Sequence, residues 1–317
     1  VVREGIRTGS AGEHVVTANL IAVLVAVSDG EPRVMTLRGA SALPSGPFEL
    51  CHRSLQSGLR AWVERQTGHP LGYLEQLYTF ADRDRTDAGG ARVISISYLG
   101  LTREEPASLG RETAWRSWYE YFPWEDQRQG ATASGDDVIL TRLEAWAEAA
   151  DDPALRREHR QRLAIAFGPD GGPWNEELIL QRYELLYEAR LVPEALRAHP
   201  GDAATPLAGR PMEADHRRIL ATGIARLRAK IKYRPVVFEL MPPSFTLLQL
   251  QRTVEALAGR LVHKQNFRRL IEQQDLVEET GSTTFGTGGR PAKLFRFRHA
   301  VLAERAVAGT KLPPSRA

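Results

Sequence analysis

The chain has 317 residues, is 42% hydrophobic, and carries 42 Lys+Arg against 39 Asp+Glu for a formal net charge of +3. That length exceeds one average domain of roughly 100 to 200 residues, so two compact units are expected. The single cysteine, Cys51, excludes an internal disulfide; with no run of about 18 apolar residues and no leader pattern, the expectation is a cytoplasmic protein with no membrane partner.

The near-neutral total hides an asymmetry. From His216 onward there are 19 Lys+Arg against 7 Asp+Glu, a charge of +12, which leaves 23 against 32, or −9, in the first 215 residues. A basic module behind an acidic one most often meets phosphate, with a solvated basic face as the plain alternative.

In chain order, Asn19 to Val27 (NLIAVLVAV) is a continuous apolar run long enough for a buried strand. Arg33 to Arg38 follows the Asp29-Gly30 turn, so the two predict a hairpin. After the turn Leu43 to Pro47, the stretch Ser54 to Gln66 predicts a helix with Leu55, Leu59, Trp62 and Val63 on one stripe, closed by Gly68. Arg92 to Leu101 alternates as a further strand, which makes an α+β unit. Trp115, Trp118, Tyr119, Tyr121, Phe122 and Trp124 then crowd a short stretch; such crowding reads as a packed junction, with ligand stacking as the other use of aromatic faces. Helices are predicted over 137–150 and 175–191, the segment 151–172 matches no recognisable pattern, and the Pro- and Gly-rich stretch 193–211 is the best linker candidate.

Beyond it, His216 to Lys232 predicts a basic helix with Ile219, Ile224, Leu227 and Ile231 as its apolar set, and this helix could join either domain. Val236 to Met241 predicts a short strand. Thr246 caps a helix over Leu247 to Ala258 that ends at Gly259. After a short turn, a second helix puts Phe267, Leu270 and Ile271 inward and Gln265, Arg268 and Arg269 outward. Two strands, Leu276 to Glu279 and Lys293 to Phe297, flank the glycine-rich Thr280 to Pro291. Capped helix, turn, basic helix and glycine-rich hairpin in that order make a winged helix-turn-helix. Its candidate DNA contacts are Thr246, Lys264, Gln265, Asn266, Arg268 and Arg269, with Thr287, Arg290 and Lys293 on the wing, because Gln, Asn and Arg can read base edges and wing arginines can reach a minor groove or phosphates.

The run FELMPPSFTLLQLQRTVEALAGRLVHKQNFRRLIEQQDLVEETG, followed by GRPAKLFRF, resembles the C-terminal domain of the Nudix-related transcriptional regulators of bacterial NAD metabolism, the NrtR family, and within it the longer alphaproteobacterial NadQ type. The similarity is tight over 215–298 and looser over the front strands and helix. It implies a Nudix-like α/β/α sandwich with a helical extension over 13–210, a winged helix-turn-helix over 211–305, double-stranded operator DNA as partner, a homodimer, and an adenine or NAD-related nucleotide as effector, with no required cofactor.

A hydrolytic Nudix enzyme carries G-x5-E-x7-R-E-U-x-E-E-x-G-U (U, a bulky aliphatic residue), whose clustered glutamates hold magnesium against a diphosphate. With Gly68 matched to the last glycine, Arg53 takes the first glutamate position, Ala61 the arginine, and Trp62, Arg65 and Gln66 the remaining glutamates. A register shifted by one matches Arg60 and Glu64 but brings in His52 and Thr67. Neither register builds a magnesium site, so no catalytic residue, no metal and no hydrolysis are expected. Arg53, Arg60 and Arg65, with Arg38 and Phe48, become candidate contacts to a nucleotide, the arginines by charge-assisted hydrogen bonds to phosphate; the bland reading of each is a solvated surface residue. The rival functions are an active Nudix hydrolase fused to a DNA-binding domain and a protein-interaction adaptor.

Overall fold

The computed structural model of the chain describes residues 16–69, 71–82, 85–86, 90–104, 113–130, 136–168, 174–198, 206, 209–233, 236–284 and 291–298. Strands β1 (Val16–Ser28), β2 (Glu31–Thr36), β3 (Ser45–Pro47), β4 (Tyr73–Phe80), β5 (Arg92–Leu101) and β6 (Ala114–Ser117) form one mixed sheet in the order β4-β5-β1-β2-β6, with β3 also paired to β1. β1 runs parallel to β5 from Val16↔Arg92 to Val25↔Leu101, and the other pairings are antiparallel. The predicted hairpin at Asp29-Gly30 is present, both residues having positive φ as its turn demands.

β1 is apolar throughout because both of its faces are covered. Side chains alternate along a strand: Leu20, Ala22, Leu24 and Ala26 pack with Leu59 and Val63 of helix α1 (Leu55–Thr67), while Ile21, Val23 and Val25 pack with Ile219, Leu220, Ile224 and Leu227 of helix α6 (His216–Tyr233). Gly223 of α6 lies directly over β1, where an added Cβ would come within 2.8 Å of Val23. α1 starts and stops where the sequence says: Ser54 forms a capping box with Ser57, and Gly68 ends the helix in the left-handed conformation.

The aromatic run is a packed junction. Trp118, Tyr121, Phe122 and Trp124 are fully buried and join the sheet to the helices α2 (Asp136–Glu148), α3 (Pro153–Phe167), α4 (Ile179–Glu188) and α5 (Pro193–Ala198). Segment 151–172, unreadable in sequence, supplies α3. Of the stretch 193–211, the part 193–198 forms α5, which buries Ala195; Val192 before it and Met212 beyond the stretch are buried, and Glu194 accepts the Met212 N–H. Helix α6, which the sequence left open to either domain, packs its Ile219, Leu220, Ile224 and Leu227 into the core beneath β1.

The C-terminal unit comprises a 3-10 helix, Val236–Leu240, then α7 (Leu247–Ala258), α8 (Lys264–Gln274) and the hairpin β7 (Val277–Thr284) and β8 (Ala292–Phe297). The expected strand at 236–241 is thus a 3-10 helix whose Val237 and Met241 enter a separate small core with Phe245, Leu250, Phe267 and Ile271. Leu270, expected inward, is instead 47% exposed.

Candidate nucleic-acid interface and nucleotide cavity

On α8, Phe267 and Ile271 fix the helix to the core, and the 100° step per residue turns Lys264, Gln265, Asn266, Arg268 and Arg269 outward, where all five are exposed. No ion pair to an acidic side chain forms at Lys264, Arg268 or Arg269 among the described residues. The neighbouring cations differ. Lys293 pairs with Glu279 at 2.7 Å, Arg296 with Glu278 at 2.7 Å, Arg298 with Asp275, and Arg260 with Glu176 at 3.2 Å. Among the described residues of this unit, the cations without an acidic partner are thus the three on α8 and the exposed Arg252 of α7. Thr246 does not join them: the residue is 5% exposed and its hydroxyl accepts the Gln249 N–H, so it serves the helix cap and presents nothing outward. Thr287 and Arg290 lie outside the described residues.

The C-terminal end of α7 is fastened to the front domain through its carbonyls. The Tyr119 hydroxyl donates to Ala256 O at 2.6 Å, Arg228 Nε to Leu257 O at 2.9 Å, and the Gln127 N–H to Gly259 O at 2.7 Å. Gly259 sits at positive φ so close to this junction that a Cβ would meet Glu125 O at 2.2 Å. Behind it, Glu125 accepts from Arg182 at 2.6 and 2.9 Å and from Arg228, and all three side chains are fully buried. Burial raises the Glu125 carboxyl, but the two facing guanidinium groups outweigh it and hold the pKa below the ordinary carboxylate value.

At α1, Trp62 and Gln66 lie one turn apart and brace β3. The Trp62 indole N–H donates to Pro47 O at 2.8 Å, the Gln66 amide bridges Ser45 N and O at 3.2 and 2.8 Å, and Gly46 packs so tightly on the Trp62 ring that a Cβ would come to 2.2 Å. Arg65 stacks on Trp62 at 3.8 Å. The three α1 positions that the register ending at Gly68 matches to glutamates thus hold two side chains committed to the scaffold and one cation. Near the helix start, Glu49, Cys51 and His52 cluster, but His52 Nδ1 already accepts the Glu49 N–H and two of the three are exposed. Of the nucleotide candidates, Arg38 pairs with Glu213 at 2.5 Å, Phe48 stacks on His52, Arg60 donates to Leu71 O and to Gly72 O at 3.0 Å, and Arg53 is exposed.

None of these five lines the large cavity on the other face of the sheet, which has a volume of about 1020 Å³ and is walled by β1, β5, α3, α4, α5 and the first turn of α6. Its side chains include Arg85, Tyr183, Tyr187, Arg197, His216 and Arg218. Sequence reasoning missed them. The one available signal was Tyr183 and Tyr187, one turn apart on a single helix face.

Residues 237–297 match the family model of the NrtR DNA-binding winged helix domain. This stretch is therefore similar to the DNA-binding winged helix domain of NrtR. Over 83 residues the chain is 41% identical to the ADPR responsive transcriptional repressor NtrR of Acinetobacter baylyi; that match takes in 26% of this chain, and the chain covers 33% of the length of this curated relative. The whole architecture, NrtR-type domain included, is similar to that of Shewanella oneidensis NrtR solved with a 27mer DNA (TM-score 0.54, 19% identity, 90% of this chain and 95% of that one). It is also similar to a MutT/nudix family protein of Enterococcus faecalis (TM-score 0.52, 16% identity, 89% and 86%). These likenesses give the fold: a Nudix-like front domain followed by an NrtR-type winged helix. Among the described residues no helix is long and apolar enough to cross a membrane.

Proposed function

We propose that this protein is a transcriptional repressor of NAD biosynthesis or salvage genes that binds operator DNA as a homodimer and is tuned by ADP-ribose or a related adenine nucleotide held in its front domain. The observation that carries the reading is the row of exposed cations on α8, Lys264, Arg268 and Arg269, which have no acidic partner among the described residues, while Arg260, Lys293 and Arg296 of the same domain are paired. Unpaired lysines and arginines on a helix that fits a major groove supply both phosphate attraction and base readout. The nucleotide comes from the relative's name as an ADPR responsive repressor. The dimer follows from operator symmetry, since two half-sites related by a two-fold axis multiply the few contacts one winged domain can make. The front domain is read as a sensor and not a hydrolase, because Trp62, Arg65 and Gln66 offer no carboxylate to a magnesium ion.

The test is to select duplexes from a random pool with the purified protein and titrate them at several salt concentrations with and without ADP-ribose. The selected duplex is expected to bind at least about 10³-fold more tightly than random DNA, with an affinity that falls steeply with salt and changes when ADP-ribose is added. Equal affinity for selected and random duplexes would remove the repressor reading. Magnesium-dependent turnover of ADP-ribose on the order of 1 per second or faster would restore the hydrolase.

A further inference from the structure

We propose that the cavity between β1, β5 and helices α3 to α6 is the nucleotide site of the front domain, so that a ribose-bearing nucleotide binds on the face of the sheet opposite α1. The inference rests on the nucleotide-responsive reading above and says where the nucleotide goes.

At about 1020 Å³ the space is at the upper end of the range in which small-molecule sites fall. Its walls are built and polar. Arg85 pairs with Asp215 and donates to Ser95 Oγ at 2.5 Å; Arg218 pairs with Glu184 at 2.8 Å; Arg162 pairs with Glu188 at 2.5 Å. Charges of both signs are thus held in place by their partners, and hydroxyl groups of a sugar could exchange hydrogen bonds with either member of such a pair.

Two buried groups face the cavity with hydrogen-bonding capacity unused. Tyr183 is 2% exposed, and its hydroxyl has no hydrogen-bond partner among the described residues. His216 is 7% exposed and accepts the Leu43 N–H at Nδ1. Since burial pushes its pKa down to about 4, the ring is neutral near pH 7 and carries its proton on Nε2, which has no partner among the described residues. Both donors open onto the cavity, so a bound molecule with acceptor oxygens could take a hydrogen bond from each. Arg197 lines the same space, donates to the Met212 carbonyl and has no carboxylate partner among the described residues, which leaves its charge for a phosphate. Tyr187, 38% exposed and 6.5 Å from the Tyr183 ring, offers a face on which a base can stack.

On the opposite face Trp62 and Gln66 are packed down on β3. The cavity also touches the right helix. Asp215, His216 and Arg218 surround the start of α6, and about 18 Å further along that helix Arg228 holds the end of α7.

The experiment is calorimetric titration of ADP-ribose into the full-length chain and three variants, with DNA binding and the melting temperature measured for each. Tyr183→Phe removes only the unpartnered hydroxyl, so it should fold normally and weaken ADP-ribose binding about 2- to 10-fold; Arg197→Ala should weaken it about tenfold or more. The double variant Arg53→Ala/Arg65→Ala, on the α1 side, should bind within about twofold of the parent chain. Loss of binding in the double variant, or parental affinity in both cavity variants, overturns the site. If the parent chain binds selected DNA but not ADP-ribose, the nucleotide reading itself has failed, and the site falls with it.

Discussion

Arg182 and Arg228 of the front domain are fully buried and share the carboxylate of Glu125, whereas Arg268 and Arg269 of α8 stand in solvent without an acidic partner. The difference shows that a count of basic residues is a poor guide to where a chain meets nucleic acid. All five cations of α6 from Arg217 to Lys230 are paired with front-domain acids: Arg217 with Glu194, Arg218 with Glu184 and Asp82, Arg226 and Lys230 with Glu75, and Arg228 with Glu125. Much of the positive charge after residue 216 therefore neutralises the acidic half of the protein. What remains for DNA is smaller and more localised.

The largest effect should come from breaking the buried side of this contrast. Glu125→Ala leaves two buried guanidinium groups without their shared carboxylate and should cost about 3 to 5 kcal/mol of folding stability in urea unfolding. A cost below about 1 kcal/mol would mean that the cluster is solvated in solution and that the contrast is false.

Burial makes a second prediction through His216. Its folded pKa of about 4 lies below the ordinary histidine value of 6.5, so between these pH values the unfolded chain binds the extra proton. Stability should fall as pH drops through that window, at up to about 1.4 kcal/mol per pH unit from this group, and His216→Gln should flatten that part of the profile. Parallel profiles for the two proteins would show that the ring is hydrated.

The exposed side should respond in binding and hardly at all in stability. Arg269→Ala should leave the melting temperature unchanged and cost roughly 1 to 3 kcal/mol on a selected duplex, with relaxed preference at one base pair. An equal loss on selected and random DNA would make Arg269 a phosphate contact and sharpen the comparison to charge alone.

The parts of the fold that were readable in sequence are those set by neighbours in the chain. Ser54 and Gly68 bracket α1, Thr246 and Gly259 bracket α7, and the unbroken apolar run of β1 announces a strand covered on both faces. Phe267 and Ile271 gave the orientation of α8, and hence its exposed face, from spacing alone. Where tertiary context decides, the reading failed. Val236 to Leu240 is β-branched and apolar enough for a strand, yet it turns as a 3-10 helix that sends Val237 into the small winged-helix core and Leu240 into the front core. Val192 to Ala198 looks like a linker by composition, yet Val192, Glu194 and Ala195 are buried and Glu194 pairs with Arg217 of α6. The cavity was invisible for the same reason: Arg85, Tyr183 and His216 are far apart in the chain and meet only once the helical extension has folded back on the sheet. The opposite happened with arginines that looked available: Arg60 of α1 holds the Leu71 and Gly72 carbonyls, and Arg38 pairs with Glu213 just before α6.

The carbonyl-anchored end of α7 bears on how such a protein can be recombined. A winged helix attached by a flexible tether could be exchanged for another with a different operator and still work. Here the transplanted domain would also have to bring a glycine where Gly259 stands and a free helix end that Tyr119, Gln127 and Arg228 can grip. Chimeras joined at residue 236 should therefore retain DNA binding more readily than they retain any response to a nucleotide, and the native pairing of front and rear domains is a matched set, not a modular one.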